Sequence, residues 1–314
     1  MKQILKYLRD YIKEDFNLYF YLVTAIFLGG MFYWNYSLDF KREFIDPYYR
    51  TGELFIRYFL FVAIPYYFIL FIESLFKKDF SPFRNLRFHL YLLFAFLILA
   101  IGSSTKHINW DIAKILVESK YLTDWTAYCV SNFHRIFFLL LLPFLFKMII
   151  DRRDKTFYGF TLKNFDWKPY SIMLMIMIPL IFWASFRPSF LRMYPIYKPG
   201  MAEHLDHISY WVSVPVFEFL YALRFVAVES FFRGFLIIGL ARLVGTRAIM
   251  PMVVTYALWH FGKPGAETLG SIFGGYILGI IALRSKTIFG GVLIHMGVAL
   301  LMELAAYAQH YLIR

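Results

Sequence analysis

Apolar runs of about membrane-spanning length recur along this chain, and nothing else constrains its fold as strongly. A membrane span needs about 20 mostly apolar residues. Stretches of that kind lie at 17–36, 53–76, 88–104, 126–150, 171–186, 208–243, 250–262, 268–284 and 287–310. Hydrophobic residues are 60% of the chain, where a soluble domain has roughly half, and lipid rather than water can take that surface. The expected fold is therefore all-α, a polytopic transmembrane helical bundle of eight or nine membrane segments. The count stays open for two reasons. The run 208–243 is too long for one span, so that Pro215 is expected to split it, and 250–262 is short.

The net charge is +12. Its cations sit at the ends of apolar runs rather than in one patch, which excludes a nucleic-acid partner and fits headgroup anchoring. With the N-terminus cytoplasmic, alternate loops place 17 Lys and Arg inside and 10 outside. That bias predicts an integral protein of a bacterial cytoplasmic membrane with a cytoplasmic N-terminus. The opening MKQILKYLRDYIKEDF is too charged for a cleaved signal peptide and reads as an amphipathic lead-in. A single cysteine, Cys129, allows no internal disulfide and no cysteine metal site. The polar stretch 151–170 divides the chain into a four-span region with its lead-in, 1–165, and a second region, 166–314.

An ionisable group at mid-membrane costs at least about 2.5–3.5 kcal/mol. In the first region Arg57, Glu73, Lys147 and the pair His134-Arg135 lie near run ends or polar patches and are expected to snorkel. The second region differs. Glu229 and Arg233 stand four apart inside an apolar helix, about 40° from each other on one face. Glu218 lies three turns earlier on nearly the same face, and Arg224 lies between on another. The next segment ends in His260, the following one starts with Glu267, and the last holds His295 and Glu303, about 80° apart around the helix. Gly270, Gly274, Gly275 and Gly279 make two small-xxx-small pairs for close helix approach. Taken singly, Glu229–Arg233 reads as a structural ion pair, each histidine as a packing residue, and Glu267 as an interfacial partner of Lys263. Together, on consecutive segments, they favour a polar site within the membrane.

The run Glu229-Ser-Phe-Phe-Arg233-Gly234 resembles the first motif of the CPBP family of intramembrane endopeptidases, which includes the type II CAAX prenyl proteases. Tyr256-Ala-Leu-Trp-His260 is similar to its second motif, and His295 to its third. The resemblance covers about 170–314. Two positions depart from it. The family's first glutamate falls on Val228, and the asparagine of the third motif falls on Ala299.

The resemblance implies hydrolysis of a peptide bond in a membrane-associated protein or peptide of CAAX type, with or without a lipid. Glu229 would activate water, His260 would orient it and His295 would stabilise the oxyanion, without a cofactor. Arg233, Glu267 and Glu303 would support them. Membrane lipid and a membrane-associated peptide would be the partners. Three other readings stand beside this one. His260 and His295 with Glu229 make a zinc version of the same site. The losses at Val228 and Ala299 allow a non-catalytic scaffold or immunity protein. Buried charges between glycine-rich helices allow a transporter, although no internal repeat supports that.

Overall fold

Asparagine and serine side chains start several of the helices. Asn17, Asn85, Ser119 and Ser209 accept hydrogen bonds from the first-turn amides of Phe20, Phe88, Tyr121 and Trp211, pairing donors that a helix start leaves free. The computed structural model describes residues 1–152, 156–163, 165–206 and 208–310. Arg153 and Lys155, two of the cations in the orientation count, lie outside the described residues.

Helix α1 spans Lys2–Asp15, α2 Leu18–Ser37, α3 Glu53–Lys77, α4 Leu86–Ser104, α5 Lys120–Ile149 and α6 Lys168–Ser185. Helix α7 spans Tyr210–Glu229, α8 Ile249–Trp259, α9 Gly265–Ser285 and α10 Phe289–Ala308. No strand occurs among the described residues. Eight stretches are long and apolar enough to cross a membrane, with α7 and α8 falling in one of them, 210–259. The protein is an all-α polytopic bundle.

Pro215 does not split its run. It sits early in α7, where its missing N–H forfeits one backbone bond and the helix continues. The change comes later, where Ser230–Gly239 forms a π-helix directly after Glu229. Such wide turns interrupt α-helices frequently at functional sites, and a second one, Phe137–Leu141, lies within α5.

Alternate helix ends gather on two opposite faces. On the first, Asp15 takes Lys77 and Thr246, Asp79 takes Arg247, Asp151 takes Arg242, and Glu14 takes Arg284. On the second, the Tyr36 hydroxyl donates to the Lys263 carbonyl at 2.8 Å, Arg50 pairs with Asp111 at 3.1 Å, and Ser119 bonds Asp206. This is the arrangement that successive crossings require. Between the two faces the bundle presents Ile26, Ile64, Phe133 and Trp183 outward, as a lipid-facing surface would. Helix α1 turns Ile4 and Tyr11 inward and leaves Leu5 and Ile12 exposed. Its Tyr11 packs edge-on against Tyr276 of α9, with centroids 5.9 Å apart.

The largest apolar cluster draws on both halves of the chain. Tyr91 of α4 stacks on Phe235 of the π segment at 5.6 Å, and Phe146 of α5 meets the same ring edge-on at 5.4 Å. The glycines of α9 divide their work. A β-carbon at Gly279 would come 2.9 Å from Ile237, and one at Gly275 would come 3.3 Å from Tyr256, so this pair sets close helix approach. Gly270 and Gly274 face open space. Glu73, expected to snorkel, is buried instead, and Lys77 pairs with it at 2.7 Å while also holding Asp15.

Candidate active site

Helical spacing places Arg233 one turn beyond Glu229, and the structure closes the pair. Arg233 Nη1 donates to Glu229 Oε1 at 2.8 Å. The same oxygen lies 2.8 Å from His295 Nδ1, which reaches it from α10. Glu229 is completely buried. Its second oxygen, Oε2, has no hydrogen-bond partner among the described residues and rests against Gly291 of α10. Breaking a buried pair of this kind leaves an uncompensated charge and costs about 3–5 kcal/mol.

Tyr256 is the hub that brings His260 into this group. The Arg233 guanidinium lies over the Tyr256 ring at 4.4 Å, and Arg233 Nη2 donates to the Gly274 carbonyl at 3.4 Å. The His260 ring sits 4.5 Å from the Tyr256 ring. The Tyr256 hydroxyl is 3.4 Å from His295 Nε2. His260 Nδ1 stands 2.8 Å from the Tyr256 carbonyl. A carbonyl only accepts, so Nδ1 carries the proton and Nε2 keeps its lone pair. His260 itself ends α8 at a sharp turn, with Gly262 at φ +98°, a conformation that favours glycine.

Glu229, Arg233, His260 and His295 are thus brought together. Glu267 and Glu303 are directed elsewhere. Glu267 accepts from the Tyr194 hydroxyl at 2.8 Å and pairs with Lys263 at 3.3 Å. Glu303 accepts from the Ile196 amide at 2.9 Å. Both tie the segment 188–206 to the bundle. Burial lowers the Lys263 ammonium, against the opposing pull of Glu267. The two departures from the family motifs lie in apolar surroundings. Val228 belongs to the main core, and Ala299 packs with Tyr197, Phe217 and Tyr221.

The zinc reading needs three protein ligands around one zinc ion. Among the described residues, no group of three His, Cys, Asp or Glu side chains is arranged to hold one.

Sequence reasoning did not place Tyr256 or Gly291 in the site. The aromatic position of the second motif was a signal for Tyr256. Gly291 had no signal beyond lying one turn before His295.

Residues 209–301 match the family model of the Rce1-like type II CAAX prenyl endopeptidases. The match bears out the resemblance carried by the motifs. It contains Glu229, Arg233, Tyr256, His260, Glu267, Gly291 and His295, and it covers less than a third of the chain. No curated protein and no solved structure matches the chain. At the level of that family the similarity is to intramembrane endopeptidases.

Proposed function

We propose that the protein is an intramembrane endopeptidase whose reacting water lies between His260 and His295, with Glu229 acting through His295. The observation that carries this reading is the single buried oxygen, Glu229 Oε1, held at 2.8 Å by both Arg233 and His295. An oxygen serving two donors is poorly placed to be a free base, and Oε2 is enclosed against Gly291. Glu229 instead orients the His295 ring and stabilises positive charge on it. His295 Nε2 is then the group that takes the proton from water. His260 Nε2 holds the same water through its lone pair. The Tyr256 hydroxyl, next to His295, supplies an O–H donor toward the tetrahedral oxyanion.

The step balances within these groups. Water oxygen adds to the peptide carbonyl carbon and its proton passes to His295. The C–N bond then breaks as His295 returns that proton to the leaving amine. The substrate is a peptide associated with the membrane. With the N-terminus cytoplasmic, His260 sits toward the opposite, non-cytoplasmic face, so access is from that face or sideways from lipid.

Cleavage of a membrane-anchored reporter peptide, prenylated and unprenylated, by the purified protein in nanodiscs tests the reading. Positioned acid–base groups contribute about 10²–10⁴-fold. Glu229→Gln, His260→Ala and His295→Ala are each expected to lose at least about 10²-fold in kcat. Wild-type rates in all three would sink it. A non-catalytic scaffold or immunity protein of the same fold is the second reading, favoured by the apolar burial of Val228 and Ala299. It gains if the wild-type protein cleaves none of these reporters.

A further inference from the structure

Arg135 and Arg224 lie within electrostatic reach of each other and of Lys106 and Lys263, four cations from four different elements. Lys106 follows α4, Arg135 lies on α5, Arg224 on α7, and Lys263 follows α8. A hydrogen bond of 3.0 Å between Thr105 and His134 fixes the end of α4 against α5 and sets Lys106 beside Arg135. Arg135 lies within electrostatic reach of Arg224, and Lys263 within reach of both. Arg135 also lies over the Trp259 ring at 5.4 Å, and that ring is 6.4 Å from the His260 ring. Arg135 therefore stands within about 12 Å of His260, roughly three or four residues of extended chain.

Two of the four cations have local compensation. Lys263 pairs with Glu267 at 3.3 Å. Arg224 donates to Asn132 at 3.2 Å, and Glu218 and Glu303 face it. The other two do not. Among the described residues, the side chains of Lys106 and Arg135 have no hydrogen bond or ion pair; their contacts are with the rings of Tyr58 at 5.8 Å and Trp259 at 5.4 Å. The one acid facing Lys106 is Asp46, which is itself paired with Lys41 at 3.2 Å. Burial, then repulsion from Arg135 and Lys41, pushes the Lys106 ammonium down to about 7. Like charges gathered at a half-buried site raise the energy of a fold unless a counter-charge arrives.

We propose that Lys106 and Arg135 form an anion subsite that takes a carboxylate of the bound peptide a few residues from the scissile bond. The carboxylate is that of the chain end or of an acidic side chain. The subsite rests on the endopeptidase reading. It assigns a binding role to the first half of the chain, while the matched segment 209–301 supplies the reacting groups. Arg135 offers a planar fork for the two carboxylate oxygens.

The test measures binding to the purified protein in nanodiscs of neutral lipid. The probes are N-acetyl-Leu-Leu-Leu as free acid, the same peptide as its C-terminal amide, N-acetyl-Leu-Leu-Glu amide, and inorganic phosphate. Either the free acid or the Glu peptide is expected to bind at least about tenfold more tightly than the neutral amide. Which of the two does so identifies the source of the carboxylate. Arg135→Met and Lys106→Met should abolish the preference, and Arg135→Lys should keep part of it. Equal binding of the neutral amide, or a preference that survives both Met variants, overturns the proposal. Phosphate binding as tightly as the acidic peptides also overturns it and points to a lipid headgroup. A preference without any cleavage leaves the subsite standing and removes the peptidase reading. Cleavage without a preference does the reverse.

Discussion

Gly291 of α10 lies directly against the unpartnered oxygen of Glu229, so close that a β-carbon there would overlap Oε2. The glutamate is held by two donors on one side and by bare backbone on the other. Gly291→Ala is therefore expected to push the carboxylate off His295. Overpacking of this kind costs typically about 1–3 kcal/mol. Thermal unfolding in detergent should show that loss together with a fall in cleavage. Gly270→Ala is the matched control, since nothing lies within 4 Å of a β-carbon there. It should leave stability unchanged or raise it by up to about 1 kcal/mol. Equal behaviour of the two variants would contradict the close contact at Glu229.

Arg233 is 1% exposed and makes its ion pair with Glu229 inside the bundle. Arg233→Met leaves Glu229 charged and short of a donor, at an expected cost of about 3–5 kcal/mol. Adding Glu229→Gln should recover part of that stability, because the stranded charge is gone. Cleavage should not recover. A double-mutant cycle on unfolding checks this, and strict additivity of the two substitutions would refute the coupling.

The pairing of Glu229 with Arg233 was legible because helical period alone puts residues four apart on one face. The meeting of His260 and His295 with that pair was not legible from spacing. It depends on how α7, α8 and α10 pack, and the family resemblance supplied the expectation. Hydropathy also misjudged the first half. Arg135 and Glu73 read as snorkelling charges because a linear apolar run does not reveal which face of its helix turns inward. Arg135 lies over Trp259, and Glu73 is buried beside Lys77. The apolar runs located the spans but set their starts loosely: the run from 126 belongs to a helix that starts at Lys120, behind the capping Ser119. The continuity of α7 through Pro215 was not marked, because a proline so near a helix start removes little.

Glu303 and Glu267 read as members of the site, yet each anchors the segment 188–206. Glu303→Ala removes the acceptor for the Ile196 amide. A hydrogen bond to a charged group contributes about 1.5–3 kcal/mol, which corresponds to roughly 10- to 100-fold faster amide exchange on local opening. Hydrogen exchange of the peptide covering Ile196 measures this directly. Cleavage should fall by less than about tenfold, as the reacting groups are untouched. Unchanged exchange at Ile196 would show that the segment is held by other contacts.

Lys106 gives the protein a dependence on pH whose sign is set by its surroundings. Its ammonium sits at about 7 in the folded protein, against an ordinary lysine value of 10.5, because burial and then Arg135 and Lys41 oppose the charge. Arg224 adds to that opposition, and Asp46 works against it. Below pH 7 both folded and unfolded chains carry the proton, and the full cost of the buried charge falls on the folded state. Between about pH 7 and 10.5 the unfolded chain holds more protons than the folded one, so stability rises with pH through that window. Lys106→Met removes the charge altogether. The variant should be more stable than the parent at about pH 6, and its advantage should shrink steadily as the pH is raised through this window. Other groups titrate here too, so the readout is the difference between the two proteins, measured as unfolding midpoints without peptide present. A difference that stays constant from about pH 6 to 9.5 would mean that Lys106 keeps an ordinary lysine value. It would also remove the electrostatic cost that singles out Lys106 and Arg135 as a place for an anion.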